Sequence, residues 1–494
     1  MSKLPLGAAP AAVPTASPAL AMLGVNLMVF MATLDMSIVN VALPTLVTVL
    51  DTDFAAIQWV ILSYVLVIAS LLLLVSRLGD MRDKKRIFSA GLVIFLIASL
   101  CCGLAPSVGW LIAFRAFQGV GAAMTQALGM AIVTQIASPS SRGRALGFIG
   151  GTVAMGLMIG PPLGGVLIGF FGWRALFLLN VPVGIVALWV VARRMPALPP
   201  VRTGERFDVP GAVVASLTLG AYCLGMTGMQ RNGFTDPTSL ALLAVAAAGL
   251  AGFIAIERRA SQPMLDLSLF ANPLVTLPLC MAVLVFITGA SGFIMPFFFQ
   301  SAQGRSVTEM GLLMMILPAS MAVTAPVSGS LADRFGSRGI SLLGLVVLLG
   351  GCLALGTLTA RTPWWGYLLR TLPVGLGIGI FQAPNNSAIM GQIPPHRLGV
   401  GSGLANYARV FGQSTGLPLV GTIFSALVLT SGYTGQRADF TSAPPDALAA
   451  GVAGVFRWLG ALLVVAIGLA VLAWRVESRR RAAEAQAPRD QAAG

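Results

Sequence analysis

Apolar residues run in long blocks that end at charged or turn residues, and each block approaches the ~20 residues a helix needs to cross a bilayer. Such blocks begin near residues 20, 55, 87, 109, 144, 175, 208, 237, 273, 308, 339, 362, 398 and 453. The pattern predicts an all-α polytopic membrane protein with fourteen transmembrane helices. Composition agrees with the pattern. Across 494 residues, 56% are hydrophobic and 10% charged, with a mean hydropathy of +0.87, which leaves too little polar surface for a soluble fold.

The net charge of +14 would suggest nucleic acid as a partner if it were gathered on one soluble face. Its distribution speaks against that. With the N-terminus in the cytoplasm, only Arg174, Arg231, Arg305, Arg361 and Arg437 fall on the far side of the membrane, while Arg115, Arg370, Arg409 and Arg457 lie in spans or at their ends. All other Lys and Arg, including Arg77, Arg82, Lys84, Lys85 and Arg86, fall inside. This asymmetry is the positive-inside rule, and it places both termini in the cytoplasm and no nucleic acid among the partners.

Residues 1–19 are rich in Ala and Pro and read as a disordered cytoplasmic tail. The first apolar stretch, Ala19 to Leu50, is too long for a signal-peptide core. Two loops carry related runs, Ser76-Arg-Leu-Gly-Asp80-Met-Arg82 and Gly329-Ser-Leu-Ala-Asp333-Arg334-Phe-Gly336. Gln126 and Gln382 likewise each follow a Gly-x-Gly segment, at Gly119/Gly121 and Gly375/Gly377. Two copies of a six-helix unit account for the repetition. The expected organisation is a half at 20–194, two extra helices with linkers at 195–272, a second half at 273–476, and a cytoplasmic tail at 477–494. Parallel halves of this kind suit alternating access around a central site.

One residue in the first span stands out on energetic grounds. Asp35, in Leu34-Asp-Met-Ser-Ile-Val-Asn-Val-Ala-Leu-Pro44, lies near mid-bilayer, where insertion scales assign a carboxylate about 2.5–3.5 kcal/mol. On an ideal helix it shares a face with Gly24, Met28, Met31, Val39 and Ala42, opposite Thr33, Ser37 and Asn40. The Asp/Met face is expected to look into a central cavity and the Ser/Asn face to pack on a neighbour. Burial disfavours the charged form, so a carboxylate whose exposure changes can take up and release a proton. Glu309, near the outer end of the tenth span, is a weaker second candidate.

In the fourth span Arg115, Gly119, Ala122, Gln126 and Val133 form one stripe. The guanidinium can bond a carboxylate and oppose its protonation. The fifth span carries Gly156-Leu-Met-Ile-Gly160-Pro161-Pro-Leu-Gly164-Gly165, in which glycines four apart allow close helix approach and the prolines interrupt the hydrogen-bond ladder. The loops at Asp80/Arg82 and Asp333/Arg334 are candidate latches whose ion pairs form and break with conformation. Candidate cavity residues are Met31, Trp59, Tyr64, Gln126, Phe297, Gln382, Asn386, Asn406 and Arg409, with Phe293, Phe298, Asn385, Ser402 and Gln413 beside them. The five cysteines have no ligand spacing and read as packing residues, and His396 as a loop residue.

Together these segments resemble the major facilitator superfamily, specifically its fourteen-helix drug:proton antiporter branch, the multidrug efflux type. The resemblance rests on Leu34 to Pro44, Arg115-x-x-Gln118-Gly119, the Gly-Pro and Gly-Gly run of the fifth span, Trp173-Arg-Ala-Leu-Phe-Leu-Leu-Asn-Val-Pro182-Val-Gly184, and Gln58-Trp59 with Tyr64. It implies a major facilitator fold and proton-coupled export of small lipophilic molecules. Asp35 and Arg115 would serve proton coupling, Gly156 to Gly165 the antiport geometry, and the Asp80 loop the latch. Where the family's first latch has a leading Gly, an Arg after the Asp and a later Gly, this chain has Ser76, Met81 and Asp83. No cofactor is implied beyond the proton gradient. The partners expected are a small-molecule cargo, protons and lipid, in a multi-pass monomer of a bacterial inner membrane, with an adaptor and outer-membrane channel left open. A uniporter or proton symporter for a small organic solute is the alternative. An enzyme is not expected, because the chain has no nucleophile with a base, no metal-ligand cluster and no phosphate loop.

Overall fold

The computed structural model describes residues 18–137, 142–198, 208–260, 267–393, 398–431 and 443–490. In chain order its α-helices are α1 (Pro18–Val49), α2 (Phe54–Met81), α3 (Lys84–Gly103), α4 (Val108–Ile136), α5 (Arg142–Phe171), α6 (Arg174–Leu178), α7 (Asn180–Arg194), α8 (Val209–Asn232), α9 (Pro237–Arg259), α10 (Pro273–Gly289), α11 (Met295–Phe297), α12 (Val307–Met314), α13 (Ile316–Phe335), α14 (Ser337–Leu355), α15 (Trp364–Met390), α16 (Leu398–Thr430) and α17 (Pro445–Asp490). Helices dominate because hydrocarbon offers the backbone no hydrogen bonds, so each span must pair its own N–H and C=O groups.

Several of these helices join into single rods. α6 meets α7 at Leu179, α12 meets α13 at Met315, and α10 continues through a 3-10 turn, α11 and a π-helical turn ending at Ala302. Thirteen resulting segments are long and apolar enough to cross a membrane. The fourteenth rod, α15, is 27 residues long but is diluted by Arg370, Gln382, Asn385 and Asn386. The apolar blocks start within a few residues of the helices, except the last, where helix begins at Pro445 rather than near 453. α17 also runs on to Asp490, so much of the segment expected as a tail is helical. Its Ala, Arg and Glu are good helix formers.

Several of the acidic residues cap helices. Asp53, Asp83, Asp208 and Asp236 cap the N-termini of α2, α3, α8 and α9 through side-chain acceptance of backbone N–H groups. Glu309 forms a capping box with Ser306 at the start of α12, which gives that exposed carboxylate a structural role.

Helix pairings in the first half recur in the second. α1 packs on α5 and α7 as α10 packs on α16 and α17, and the α3·α4 and α2·α4 contacts recur as α14·α15 and α13·α15. The tightest crossings repeat as well. A methyl group on Gly121 would lie 2.5 Å from Gly91 O, and one on Gly377 would lie 2.5 Å from Leu348 N. α8 lies against both halves: Tyr222 donates to Thr415 O (3.2 Å), Thr422 donates to Met226 O (3.0 Å), and Arg231 meets Asp53 at 2.9 Å. That ion pair is half exposed and contributes only about 0–1 kcal/mol. α9 buries little beyond Ser239, Ala246, Phe253 and Glu257, and presents Leu240, Val245 and Leu250 outward, as a lipid-facing helix does.

The two halves close against each other at one end. Gly165 of α5 sits so close to α12 that a methyl there would be 2.6 Å from Val307 O, and Gly311 is pressed on the Pro161 carbonyl. Phe54 of α2 packs edge-on against Phe297 (4.8 Å between centroids), beside Phe293 at 5.6 Å and Phe424 at 5.5 Å. At the opposite end, which holds most of the basic residues, the glycines of α5 and α13 make no such close approach. A methyl group added to Gly147, Gly150, Gly151 or Gly329 would meet nothing within 4 Å, and Phe148 and Val327 are 62% and 54% exposed. Among the described residues, the close glycine contacts between the halves thus lie at the first end.

The crossings make a direct stability test. Gly121→Ala and Gly377→Ala are each expected to destabilise the protein by about 1–3 kcal/mol, since backbone rather than a flexible side chain must move. Gly147→Ala, in open space within a helix, is expected to leave thermal unfolding in detergent unchanged or slightly raised.

Candidate functional site

Asp35 and Arg115 find each other. Both are fully buried, and Arg115 Nη1 donates to Asp35 Oδ2 at 2.6 Å. Asp35 Oδ1 accepts from Asn180 Nδ2 of α7 at 2.7 Å and from Gln118 Nε2 of α4 at 3.1 Å. Arg115 also donates through Nη1 to Gln118 Oε1 (2.6 Å) and through Nε to Val60 O of α2 (3.0 Å). Gln118 Nε2 reaches Ser99 Oγ of α3 at 2.8 Å. The Tyr64 ring lies 4.1 Å from the guanidinium carbon, a cation–π contact. One polar network thus ties α1, α2, α3, α4 and α7 together.

This overturns the expected orientation of α1. The Asp/Met face does not look into a cavity. Met28, Met31, Val39 and Ala42 are buried with Asp35, and Gly24 faces Val190 and Val191 of α7. Met36 and Asn40 are the half-buried residues instead, with Asn40 donating to Met36 O (3.3 Å). A buried charge without its opposite is costly, so the two charges meet, and they do so inside one half. Ser37 does pack on a neighbour as expected, donating to Gly156 O of α5 at 3.1 Å.

The glycines of α5 divide between two surfaces. Gly156, Gly160 and Gly164 admit Thr33, Ser37 and Ile38 of α1, whereas Gly165 admits α12 of the other half. The helix continues through Pro161 and Pro162, and the Pro161 carbonyl meets Gly311. The motif therefore both packs the first half and seals the cleft.

The remaining candidates separate. Phe297 belongs to the aromatic seal, and Met31 to the core, so neither is a cavity residue. Phe293 and Phe298 are buried too, and Asn385 is buried with its amide on Pro278 O (3.1 Å). Trp59, Gln126, Gln382, Asn406, Arg409 and Gln413 are partly exposed and Asn386 is exposed. Arg409 Nε and Nη2 both donate to Asn406 Oδ1, at 3.2 and 2.7 Å.

At the basic end, Arg82, Asp333 and Arg334 are exposed and make no side-chain ion pair among the described residues. The side chains of Asp80 and Ser402, and all of His396, lie outside the described residues. The departure at Asp83 has a structural use: its Oδ1 accepts from Lys85 N (2.9 Å) and Leu198 N (3.2 Å). Lys85 in turn donates to Ala192 O and Met195 O at the end of α7. Gln118 and Asn180 are the partners of Asp35 that the sequence pattern did not single out. Their signal was present, since each is an amide set between apolar neighbours in a span.

Comparison with known proteins follows the same line. The Major Facilitator Superfamily model matches residues 25–417. The chain is 35% identical to the uncharacterized transporter YebQ of Escherichia coli, covering 81% of this chain and 88% of that one. It is 31% identical to the riboflavin transporter RibZ of Clostridioides difficile (80% and 86%) and 30% identical to a tetracenomycin C resistance and export protein of Streptomyces glaucescens (82% and 76%). Among solved structures, a bacterial homologue of the lysosomal transporter Spinster, inward-facing and unoccupied, superposes with a TM-score of 0.67 at 17% identity, covering 93% of this chain and 97% of that one. That likeness speaks to the fold.

The buried pair predicts strong non-additivity. Arg115→Met or Asp35→Leu alone leaves an uncompensated buried charge and is expected to destabilise by about 3–5 kcal/mol. The double variant is expected to recover much of that loss, as a double-mutant cycle by thermal unfolding would read.

Proposed function

Since the chain belongs to the Major Facilitator Superfamily, we propose that it is a proton-coupled antiporter that exports small lipophilic molecules by alternating access. The observation that carries this reading is the Asp35–Arg115 pair, buried in one half of a molecule whose halves press together at one end, and we read the other end as the open mouth of a cleft. The resistance and export protein among its relatives agrees with export.

In the ionised pair, both Asp35 oxygens act as acceptors, to three donors in all. Protonation turns one acceptor into a donor and removes the charge that Arg115 faces. Arg115, Gln118 and Asn180 then lose part of what holds α1 to α4 and α7. Cargo binding rocks one half on the other, which opens the aromatic seal and brings α5 and α13 together at the basic end. The proton then reaches Asp35 from the opened side and is released at the basic end when the halves rock back. Cargo enters from the basic end, which the positive-inside rule places in the cytoplasm of a bacterial inner membrane, and leaves at the other as a proton enters. Both termini lie on the cytoplasmic side in this arrangement. The proton gradient supplies the energy, and the unit is a monomer.

A second reading, a uniporter or symporter for an organic solute, draws support from the riboflavin transporter among the relatives. Flux direction in vesicles of known orientation separates the two. In proteoliposomes holding a pH gradient, adding a transported compound is expected to dissipate the gradient with wild-type protein and to leave it intact with Asp35→Asn. Gradient-driven transport that survives in Asp35→Asn would remove the proton-coupling assignment.

A further inference from the structure

An arginine within a span carries an insertion penalty of about 2.5–3.5 kcal/mol, and such a residue marks a binding or transport site when nothing else explains it. Arg115 is explained by Asp35. Arg370, near a span end, donates to Thr357 Oγ1 (2.9 Å) and Gly366 O (2.9 Å), and Arg457 to Ala453 O (3.4 Å). Arg409 is different. Among the described residues no carboxylate lies within ion-pair reach of it, and its polar contacts are the two bonds to Asn406 Oδ1, three residues away on the same helix. Those bonds use Nε and Nη2 and leave Nη1 without a partner among the described residues. They also fix the plane of the guanidinium, so little side-chain freedom remains to be lost on binding.

Its position is at the meeting of the halves. α16, which carries it, packs on α2, α8 and α10. The Tyr64 hydroxyl is buried and, among the described residues, has no hydrogen-bond partner, while its ring covers Arg115. On helices packed against each other, an anchored cation with a free N–H edge and a phenol lacking a partner each lack an acceptor among the described residues. Asp35 offers none, because both of its oxygens are engaged with Arg115, Gln118 and Asn180.

We propose that Arg409, held by Asn406, is the cargo subsite for an anionic acceptor group, a carboxylate or phenolate, on an otherwise lipophilic molecule. This rests on the reading of the chain as a transporter of small molecules, and it narrows the cargo class. A guanidinium edge accepts a carboxylate through parallel charge-assisted bonds and repels a cation at the same place.

The test uses the purified full-length protein in neutral detergent and two dyes built on one xanthene ring system, anionic carboxyfluorescein and cationic rhodamine 6G, with binding read by fluorescence anisotropy. Wild type is expected to bind carboxyfluorescein ~10-fold or more tighter than rhodamine 6G. Arg409→Gln is expected to abolish that preference. Arg409→Lys keeps the charge but loses the fork, and is expected to retain only part of it; it carries the test alone if Arg409→Gln does not fold. Wild type showing no preference for the anionic dye, or either variant keeping the whole preference, would overturn the proposal. Displacement of carboxyfluorescein by phosphatidylglycerol in nanodiscs would assign the subsite to a lipid headgroup and overturn the cargo assignment. No pH gradient is present, so failure here and failure of proton coupling are read in separate assays.

Discussion

The buried ion pair between Asp35 and Arg115 is the constraint around which the first half is organised. Neither charge has water, so each depends on the other, and the remaining donors and acceptors are met by Gln118, Asn180, Ser99 and the Val60 carbonyl. A pair of this kind adds little stability relative to a well-packed apolar core, but breaking it is expensive. That asymmetry suits a switch: the network holds five helices in one arrangement while the carboxylate is ionised, and a single proton alters the balance of donors and acceptors across all of them.

In the proposed cycle, the rest of the architecture would convert such a local change into movement of a whole half. Glycine crossings at Gly91/Gly121 and Gly344/Gly377 pack the helices within each half closely. Contacts between the halves are different in kind. They are concentrated at one end, on Gly165, Gly311 and a cluster of phenylalanines, and absent, among the described residues, around Gly147, Gly150, Gly151 and Gly329. Flat aromatic and glycine surfaces at the seal can separate without leaving stranded charges. α8 spans the junction by binding both α2 and α16.

Much of this was legible in the sequence. Blocks of apolar residues marked the helices because lipid demands length and low polarity, and the Asp80/Asp333 and Gly121/Gly377 repeats reflect helix pairs that recur in space. Asp35 and Arg115 were identifiable by energetic cost alone. Their mutual placement was not, because a helical wheel shows which residues share a face but not which neighbour that face meets. The assignment of the Asp/Met face to a cavity failed for this reason, and Phe297 and Met31 failed with it: a large apolar side chain has the same pattern whether it seals, packs or lines. Gln118 and Asn180 emerged only once three helices were brought together. Glu309 and Asp83 illustrate the converse, charges whose purpose is local capping.

The central claim is that the ionised, Arg115-bound form of Asp35 goes with the cleft open at the basic end. Its most direct test is the distance between spin labels at Phe148→Cys on α5 and Val327→Cys on α13, in a background without native cysteines, followed by pulsed electron resonance across pH. The account predicts a long distance at high pH and a population shifting to a shorter one on acidification, with Asp35→Asn holding the shorter distance at every pH. Distances that ignore both pH and Asp35→Asn, or that lengthen on acidification, would contradict it.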